Sequence, residues 1–235
     1  MRKIIKKILE LWYPTTCVFC GKICKKGICK SCSEKIDYIQ EPLCKKCGKP
    51  IHSQEGEFCF DCQRRMLHYE QGRSLWLHKR PVSSSIYDFK YKNKRVYGEI
   101  YGRKMAEQFN DLIRMWEIDV LIPVPLHRKR QRKRGYNQAE IIARELGKRL
   151  GIPVDMSVII RERETTPQKE LGQKNRRKNL KKAFRLTGKR LTGKNILLID
   201  DIYTTGSTID AMAEVLMKTG CEKIYFLTIS IGQGF

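Results

Sequence analysis

Cysteine is clustered in this chain. Nine of its ten cysteines lie between Cys17 and Cys62, eight of them as four Cys-x-x-Cys pairs: Cys17/Cys20, Cys29/Cys32, Cys44/Cys47 and Cys59/Cys62. Two thiolates separated by two residues chelate one metal from a tight turn, and two such turns complete a tetrahedral site. Gly21 and Gly48 directly follow two of the pairs, as suits the turn of a ribbon knuckle. Taken in order, the pairs predict two zinc ions with four thiolates each, in a double ribbon; an interleaved pairing would use the same eight residues. A redox dithiol is the rival, but it needs one pair set beside a βαβ unit. Four thiolates leave no open position, so the metal is expected to be structural, in a segment with too little apolar core to fold without it. Cys24 is left as a spare thiol and Cys221 as a small buried hydrophobe. His52, His68, His78 and His127 lack ligand spacing.

Charge is the second departure from the ordinary. Lys+Arg 48 against Asp+Glu 25 gives a formal net charge of +23, which draws in polyanions such as nucleic acid, phosphorylated metabolites or an anionic membrane face. Charge alone does not choose among them. Apolar runs near 196–199 and 225–229 fall far short of the ~20 residues a spanning helix needs, so no transmembrane segment is expected. Met1–Pro14 has a basic start, but Lys6, Lys7 and Glu10 interrupt its apolar centre and no small-residue cleavage site follows. Ile4, Ile5, Ile8, Leu9 and Trp12 share a helical face, which reads as a short helix packing on its own protein, with membrane-surface contact as the alternative. Absence of an export signal places the chain in the reducing cytoplasm, where cysteines serve as thiolate ligands rather than disulfides.

The composition shift predicts two units: 1–70, a basic amino-terminal helix and double ribbon, and 71–235. A bridge with little apolar period, around Gln71–Ser85, opens the second. Beyond it strands and helices alternate. Val96, Ile100, Met105, Phe109, Leu112 and Ile113 predict a helix, Asp119–Pro125 a short buried strand, and Ala139 to Leu150 a helix stopped by Gly151. Val158–Ile160 reads as a further strand. Asn195–Asp200 is a buried strand, Ser207–Thr219 a helix closed by Gly220, and Lys223–Ser230 a last strand. This alternation predicts an α/β fold with a parallel sheet covered on both faces, whose ligands sit beyond the carboxyl ends of the strands. The loops after Pro125, Ile160 and Asp200 are then the working edge.

The stretch Asn195-Ile-Leu-Leu-Ile-Asp-Asp-Ile-Tyr-Thr-Thr-Gly-Ser-Thr208 carries the chemistry. A buried strand delivers Asp200 and Asp201 at its tip, and a hydroxyl-rich turn then enters a helix. A helix start offers unpaired N–H groups and a positive dipole end, a seat for phosphate. Gly206 lets the backbone approach closely, and Thr204, Thr205, Ser207 and Thr208 add hydroxyl donors. The carboxylates suit sugar hydroxyls. Phosphate and vicinal diol together suggest a ribose 5-phosphate. A P-loop ATPase is the rival, since Gly188 to Lys194 almost fits its motif, but Asn195 replaces the Ser/Thr and those glycines precede a strand.

This segment resembles the phosphoribosyl-diphosphate (PRPP) binding signature of type I phosphoribosyltransferases. The chain as a whole resembles the ComF family of competence-associated proteins, through Leu121-Ile-Pro-Val-Pro-Leu126, Arg134-Gly-Tyr-Asn-Gln-Ala139, Thr166-Pro-Gln168 and Arg176…Asn179…Ala183-Phe184. The resemblance implies a sheet of the type I phosphoribosyltransferase kind behind the ribbon. It implies that Asp200 and Asp201, in the catalytic position, hold the ribose hydroxyls and Thr204–Thr208 the 5-phosphate. The loop after Pro125, with Arg128 and Lys129, would face the diphosphate, which departs with magnesium in such enzymes. Whether this chain retains that activity stays open, because no segment for recognising an acceptor base is evident.

Two basic runs exceed what one diphosphate needs. The first, Arg128, Lys129, Arg130, Arg132, Lys133 and Arg134, crowds a short loop. The second, with Arg161, Arg163, Lys169, Lys174, Arg176, Arg177, Lys178, Lys181 and Lys182, has the irregular pattern of a lid. A solvated basic surface accounts for about half of these cations. Single-stranded DNA would use the rest, with Arg130, Arg132, Lys133, Arg134, Lys174, Arg176, Arg177 and Lys178 as contacts and exposed aromatics for stacking. Candidates are Trp76, Tyr87, Phe89, Tyr91, Tyr97, Tyr101 and Tyr136, most of which read as core. The family resemblance adds DNA uptake at the inner membrane face beside a helicase-like competence ATPase, and leaves a homodimer open.

Overall fold

The computed structural model describes residues 14–51, 56–163 and 182–232. The expected amino-terminal helix, Thr166–Gln168, and Lys169, Lys174, Arg176, Arg177, Lys178 and Lys181 lie outside the described residues.

Four strands form one parallel sheet: β1 (Gly72–Leu77), β2 (Val120–Pro123), β5 (Asn195–Tyr203) and β6 (Lys223–Ile231), in the order β1-β6-β5-β2. The two central strands are nearly continuous apolar runs because both of their faces are covered. Side chains along β5 alternate between two cores. Leu197 and Ile199 pack with Tyr101, Met105, Ile142 and Leu146, whereas Ile196 and Leu198 pack with Ile209, Met212 and Leu216. Helices α4 (Val96–Met115) and α6 (Gln138–Leu150) therefore cover one face, and α7 (Ser207–Met217) the other. Gly102 brings α4 close to α6: a Cβ there would stand 2.8 Å from the Ile142 carbonyl oxygen.

Several expectations are revised. The supposed bridge after Gln71 contains edge strand β1 and helix α3 (Val82–Tyr91). The strand expected at Val158–Ile160 is β3 (Ile159–Arg161), which pairs antiparallel with β4 (Phe184–Leu186) in a separate hairpin rather than joining the parallel sheet. The first basic run is not a loop. Arg128–Arg134 is helix α5, capped by the His127 side chain and closed by Gly135 at φ 76. None of its residues is buried: Arg128, Lys129, Arg132 and Lys133 are exposed, and Arg130 and Arg134 are half-buried.

The cysteine-rich segment makes two knuckles of the same design. Cys17 N–H donates to Lys22 O and Cys44 N–H to Lys49 O, each at 2.8 Å, and the turns close through Gly21 at φ 74 and Gly48 at φ 75. Each knuckle is completed by one helical turn, α1 (Lys30–Ser33) and α2 (Phe60–Gln63). Val18 and Ile36 enter the core on the α4 side, while Cys44 and Cys47 enter the core on the α7 side. Between the two knuckles Tyr38 bridges Trp76 on β1, covering an edge that would otherwise expose unpaired backbone.

Candidate functional site

The acidic pair does not end its strand. β5 stays paired with β6 through Asp200↔Thr228, Ile202↔Ser230 and Tyr203↔Ile231, so the expected strand tip lies three residues further on. The turn that follows, Thr204-Thr205-Gly206, is open. Thr204 is exposed, Thr205, Ser207 and Thr208 are partly exposed, and the Thr205 and Ser207 hydroxyls lie 2.9 Å apart. Gly206 is the residue ahead of α7 and has φ 72. A Cβ there would meet the Tyr203 hydroxyl at 2.4 Å, so glycine is needed both for the backbone angle and for space. The first backbone bond of α7 runs from Asp210 N–H to Gly206 O at 2.8 Å, leaving the amides ahead of it without intrahelical acceptors.

Two cations, Lys90 and Arg161, act on the carboxylates. Lys90, from α3, donates to Asp201 Oδ1 at 2.7 Å, with both side chains largely buried. Asp201 N–H donates to Asp200 Oδ1 at 2.8 Å. Burial, followed by the neighbouring Asp201 charge, pushes the Asp200 carboxyl up to about 7; the bond from Asp201 N–H and the charges of Lys90 and Arg161 oppose the rise. Arg161, on β3, is itself driven below its ordinary value by burial and then by Arg130, while Asp200 acts in the opposite direction. Arg130 of α5, Arg161 of β3 and Asp200 of β5 thus share one electrostatic neighbourhood. Beside it runs a groove of about 530 Å³ lined by Pro125, Arg128, Gln131, Arg161 and Arg185. Arg128 is exposed at its rim, and Lys129, also exposed, donates its backbone N–H to His127 Nδ1.

The second knuckle reaches the turn. Arg65 donates to the Thr205 carbonyl oxygen at 2.9 Å and lies 3.6 Å from Asp61, which sits between Cys59 and Cys62 and also takes Lys49 at 2.9 Å. His68, set aside for want of ligand spacing, donates its backbone N–H to Asp210 Oδ1 and has its ring Nδ1 2.9 Å from the same oxygen. Beneath the turn the Tyr69 and Tyr203 hydroxyls meet at 2.7 Å, and Tyr203 stacks on Phe226. Sequence reasoning missed Lys90, Arg65 and His68 because each acts across more than a hundred residues of chain.

The sulfurs of Cys17, Cys20, Cys29 and Cys32 lie within 4.8 Å of one another, as do those of Cys44, Cys47, Cys59 and Cys62. Pairing is therefore sequential, not interleaved. The contacts Cys20–Cys29 at 3.7 Å and Cys47–Cys59 at 3.6 Å match the ~3.8 Å between thiolates on a tetrahedral zinc. The eight cysteines fit two zinc ions. Cys24 belongs to neither set, and Cys221 is buried with its thiol aimed at Leu216 O.

Of the proposed DNA contacts, Arg130 is partly buried, Arg132 and Lys133 are exposed, and Arg134 lies 5.2 Å from the Tyr91 ring centre. Lys174, Arg176, Arg177 and Lys178 fall outside the described residues. Trp76, Phe89, Tyr97, Tyr101 and Tyr136 are core; Tyr87 and Tyr91 are exposed. No helix among the described residues is long and apolar enough to cross a membrane.

Comparison with known proteins finds a family match in each half of the chain. Residues 8–63 match a double zinc ribbon domain and residues 98–230 a phosphoribosyl transferase domain. Competence protein F of Haemophilus influenzae is 31% identical over 88% of this chain and 93% of that protein. The DNA utilization protein YhgH of Escherichia coli K12 is 28% identical over 84% of this chain and 87% of its own length. Competence protein ComFC of Bacillus subtilis is 28% identical over 82% of this chain and 79% of its own. A purine phosphoribosyltransferase from Pyrococcus horikoshii superposes with a TM-score of 0.35 at 18% identity, covering 57% of this chain and 83% of that one.

Proposed function

The chain belongs to the ComF family, a double zinc ribbon joined to a phosphoribosyl transferase domain, and from that premise we propose that it binds PRPP and single-stranded DNA as an accessory protein of DNA uptake. Its relatives carry the names competence protein and DNA utilization protein. In this reading 1–70 is the ribbon unit and 71–235 the PRPP unit, working on the cytoplasmic side with a helicase-like ATPase.

The observation that carries the reading is an open hydroxyl-lined turn at a helix start, preceded by two carboxylates held among cations. Amides of Gly206, Ser207 and Thr208, with the hydroxyls of Thr204, Thr205, Ser207 and Thr208, receive the 5-phosphate. Asp200 and Asp201 take the ribose 2- and 3-hydroxyls. With Lys90 committed to Asp201 and Asp200 poised near neutrality, the pair can both accept and donate a hydrogen bond at the sugar. The diphosphate extends toward Pro125, where Arg128, Lys129, Arg130 and Arg161 supply positive charge. Magnesium, when bound with PRPP, adds a further positive centre for the diphosphate oxygens.

DNA binding is tested by polarisation of a labelled single strand on the zinc-loaded chain. Affinity should fall steeply as salt rises, since cations such as Arg132 and Lys133 release counterions. Absence of binding at low salt removes this half of the proposal. A second reading, transfer of the phosphoribosyl group to a base, is favoured by the groove of about 530 Å³ beside Arg161. It requires magnesium-dependent diphosphate release that Asp200→Asn with Asp201→Asn abolishes; no release across a broad panel of bases counts against it.

A further inference from the structure

Helix α3 presents an exposed aromatic face on the side away from Asp201. Lys90 turns inward to Asp201, but Tyr87 and Tyr91 point to solvent, 58% and 53% exposed. Four residues apart on a helix, they are neighbours on one stripe. Their ring centres are 4.8 Å apart with the planes tilted by 46°, so the rings do not close face to face. The Arg134 guanidinium sits 5.2 Å from the Tyr91 ring centre and donates to its hydroxyl at 3.3 Å, tying the pair to the end of α5. Lys94, Arg95, Arg132 and Lys133 are exposed on the same elements and the turn after α3. The acid of that face, Asp88, is paired with Lys92 at 2.8 Å.

We propose that Tyr87 and Tyr91 form a base-stacking rung for single-stranded nucleic acid, with Arg134 bracing the inner ring and the outward cations of α5 tracking the phosphates. The inference rests on the DNA-binding reading above and assigns it a site. Aromatic faces set among cations are the combination by which single strands are held without sequence preference, because every base has a π-face and every linkage a charge. A protein partner fits less well. A stable interface buries about 800 Å² per side around an apolar centre depleted of charge, whereas this rung is ringed by lysine and arginine. α5 begins at the Pro125 loop and ends at Tyr91, so the basic helix joins the phosphate pocket to the rung.

The test uses the full zinc-loaded chain and a labelled oligothymidylate, read by polarisation over a salt series. Tyr87→Ala with Tyr91→Ala should weaken binding roughly ten- to hundred-fold while leaving the salt slope unchanged, since stacking is lost and no cation is. Tyr87→Phe with Tyr91→Phe should stay within about two-fold of wild type. Arg132→Ala with Lys133→Ala should instead flatten the slope, by about 1.4 for two phosphate contacts. Photo-crosslinking of an iodouracil-bearing strand to the unmutated chain needs no variant and should label the 87–91 peptide. If wild type binds and the double alanine variant binds equally well, or the crosslink falls elsewhere, the rung is overturned and DNA binding stands. Should wild type itself not bind, the DNA reading fails and the rung with it. A tyrosine pair serving only a protein partner gives the first of these contrary results.

Discussion

Replacing Asp200 with asparagine should stabilise the protein at neutral pH while weakening the proposed PRPP binding. Asp200 is a carboxyl raised from its ordinary 3.8 to about 7 by burial and by the Asp201 charge. A carboxylate whose folded pKa lies above its unfolded one contributes stability that is full below the unfolded value. That stability is lost as pH climbs toward the folded value. The full span corresponds to roughly 4 kcal/mol, of which about 3 should be lost between pH 5 and pH 8. Asp200 is not wholly buried, and solvent reaching it reduces the effect to about 2 kcal/mol. Urea unfolding of wild type and Asp200→Asn, with zinc held constant, gives the comparison. Titrations shared by both proteins cancel in the difference. The variant should gain about 2 kcal/mol on wild type as pH rises from 5 to 8, with an unchanged denaturant slope. Parallel pH profiles would show that Asp200 ionises as an ordinary carboxylate, and the account of the acidic pair would fall.

Gly206→Ala places a methyl against the Tyr203 hydroxyl at φ 72, and should cost about 1–3 kcal/mol in unfolding together with a loss of PRPP affinity seen by calorimetry. Arg65→Ala removes one charged hydrogen bond to the Thr205 carbonyl; PRPP affinity should drop roughly 2- to 10-fold while zinc content, read by metal release, stays at two per chain. Chelating the zinc should loosen the α7-side core, because Cys44 and Cys47 are fully buried beside Tyr69 and Phe226; faster amide exchange along β1 is the expected readout.

What the sequence disclosed was local. Cys-x-x-Cys spacing, the apolar run that opens the strand at Asn195 and the glycine ahead of Ser207 are all read within a few residues, and the structure places them as the pattern implies. Segments whose form depends on distant partners were not legible. Gly72–Leu77 opens Gly-Arg-Ser, a poor strand start, and becomes a strand because β6 offers its edge. Arg128–Arg134 carries six like charges that would repel in isolation, and is held helical by the His127 cap and the Gly135 stop. β5 outruns its acidic pair because β6 continues beside it to Ile231. Lys90 sits between two aromatic residues on a helix the sequence hid, and its partner Asp201 lies 111 positions away.

Titration of PRPP with magnesium into the zinc-loaded chain, followed by calorimetry, bears most directly on whether residues 200–208 seat a phosphorylated ribose. One saturable event per chain is expected, competed by ribose 5-phosphate and lost in Asp200→Asn with Asp201→Asn. Absence of heat in wild type, or binding undiminished in that double variant, would contradict the assignment.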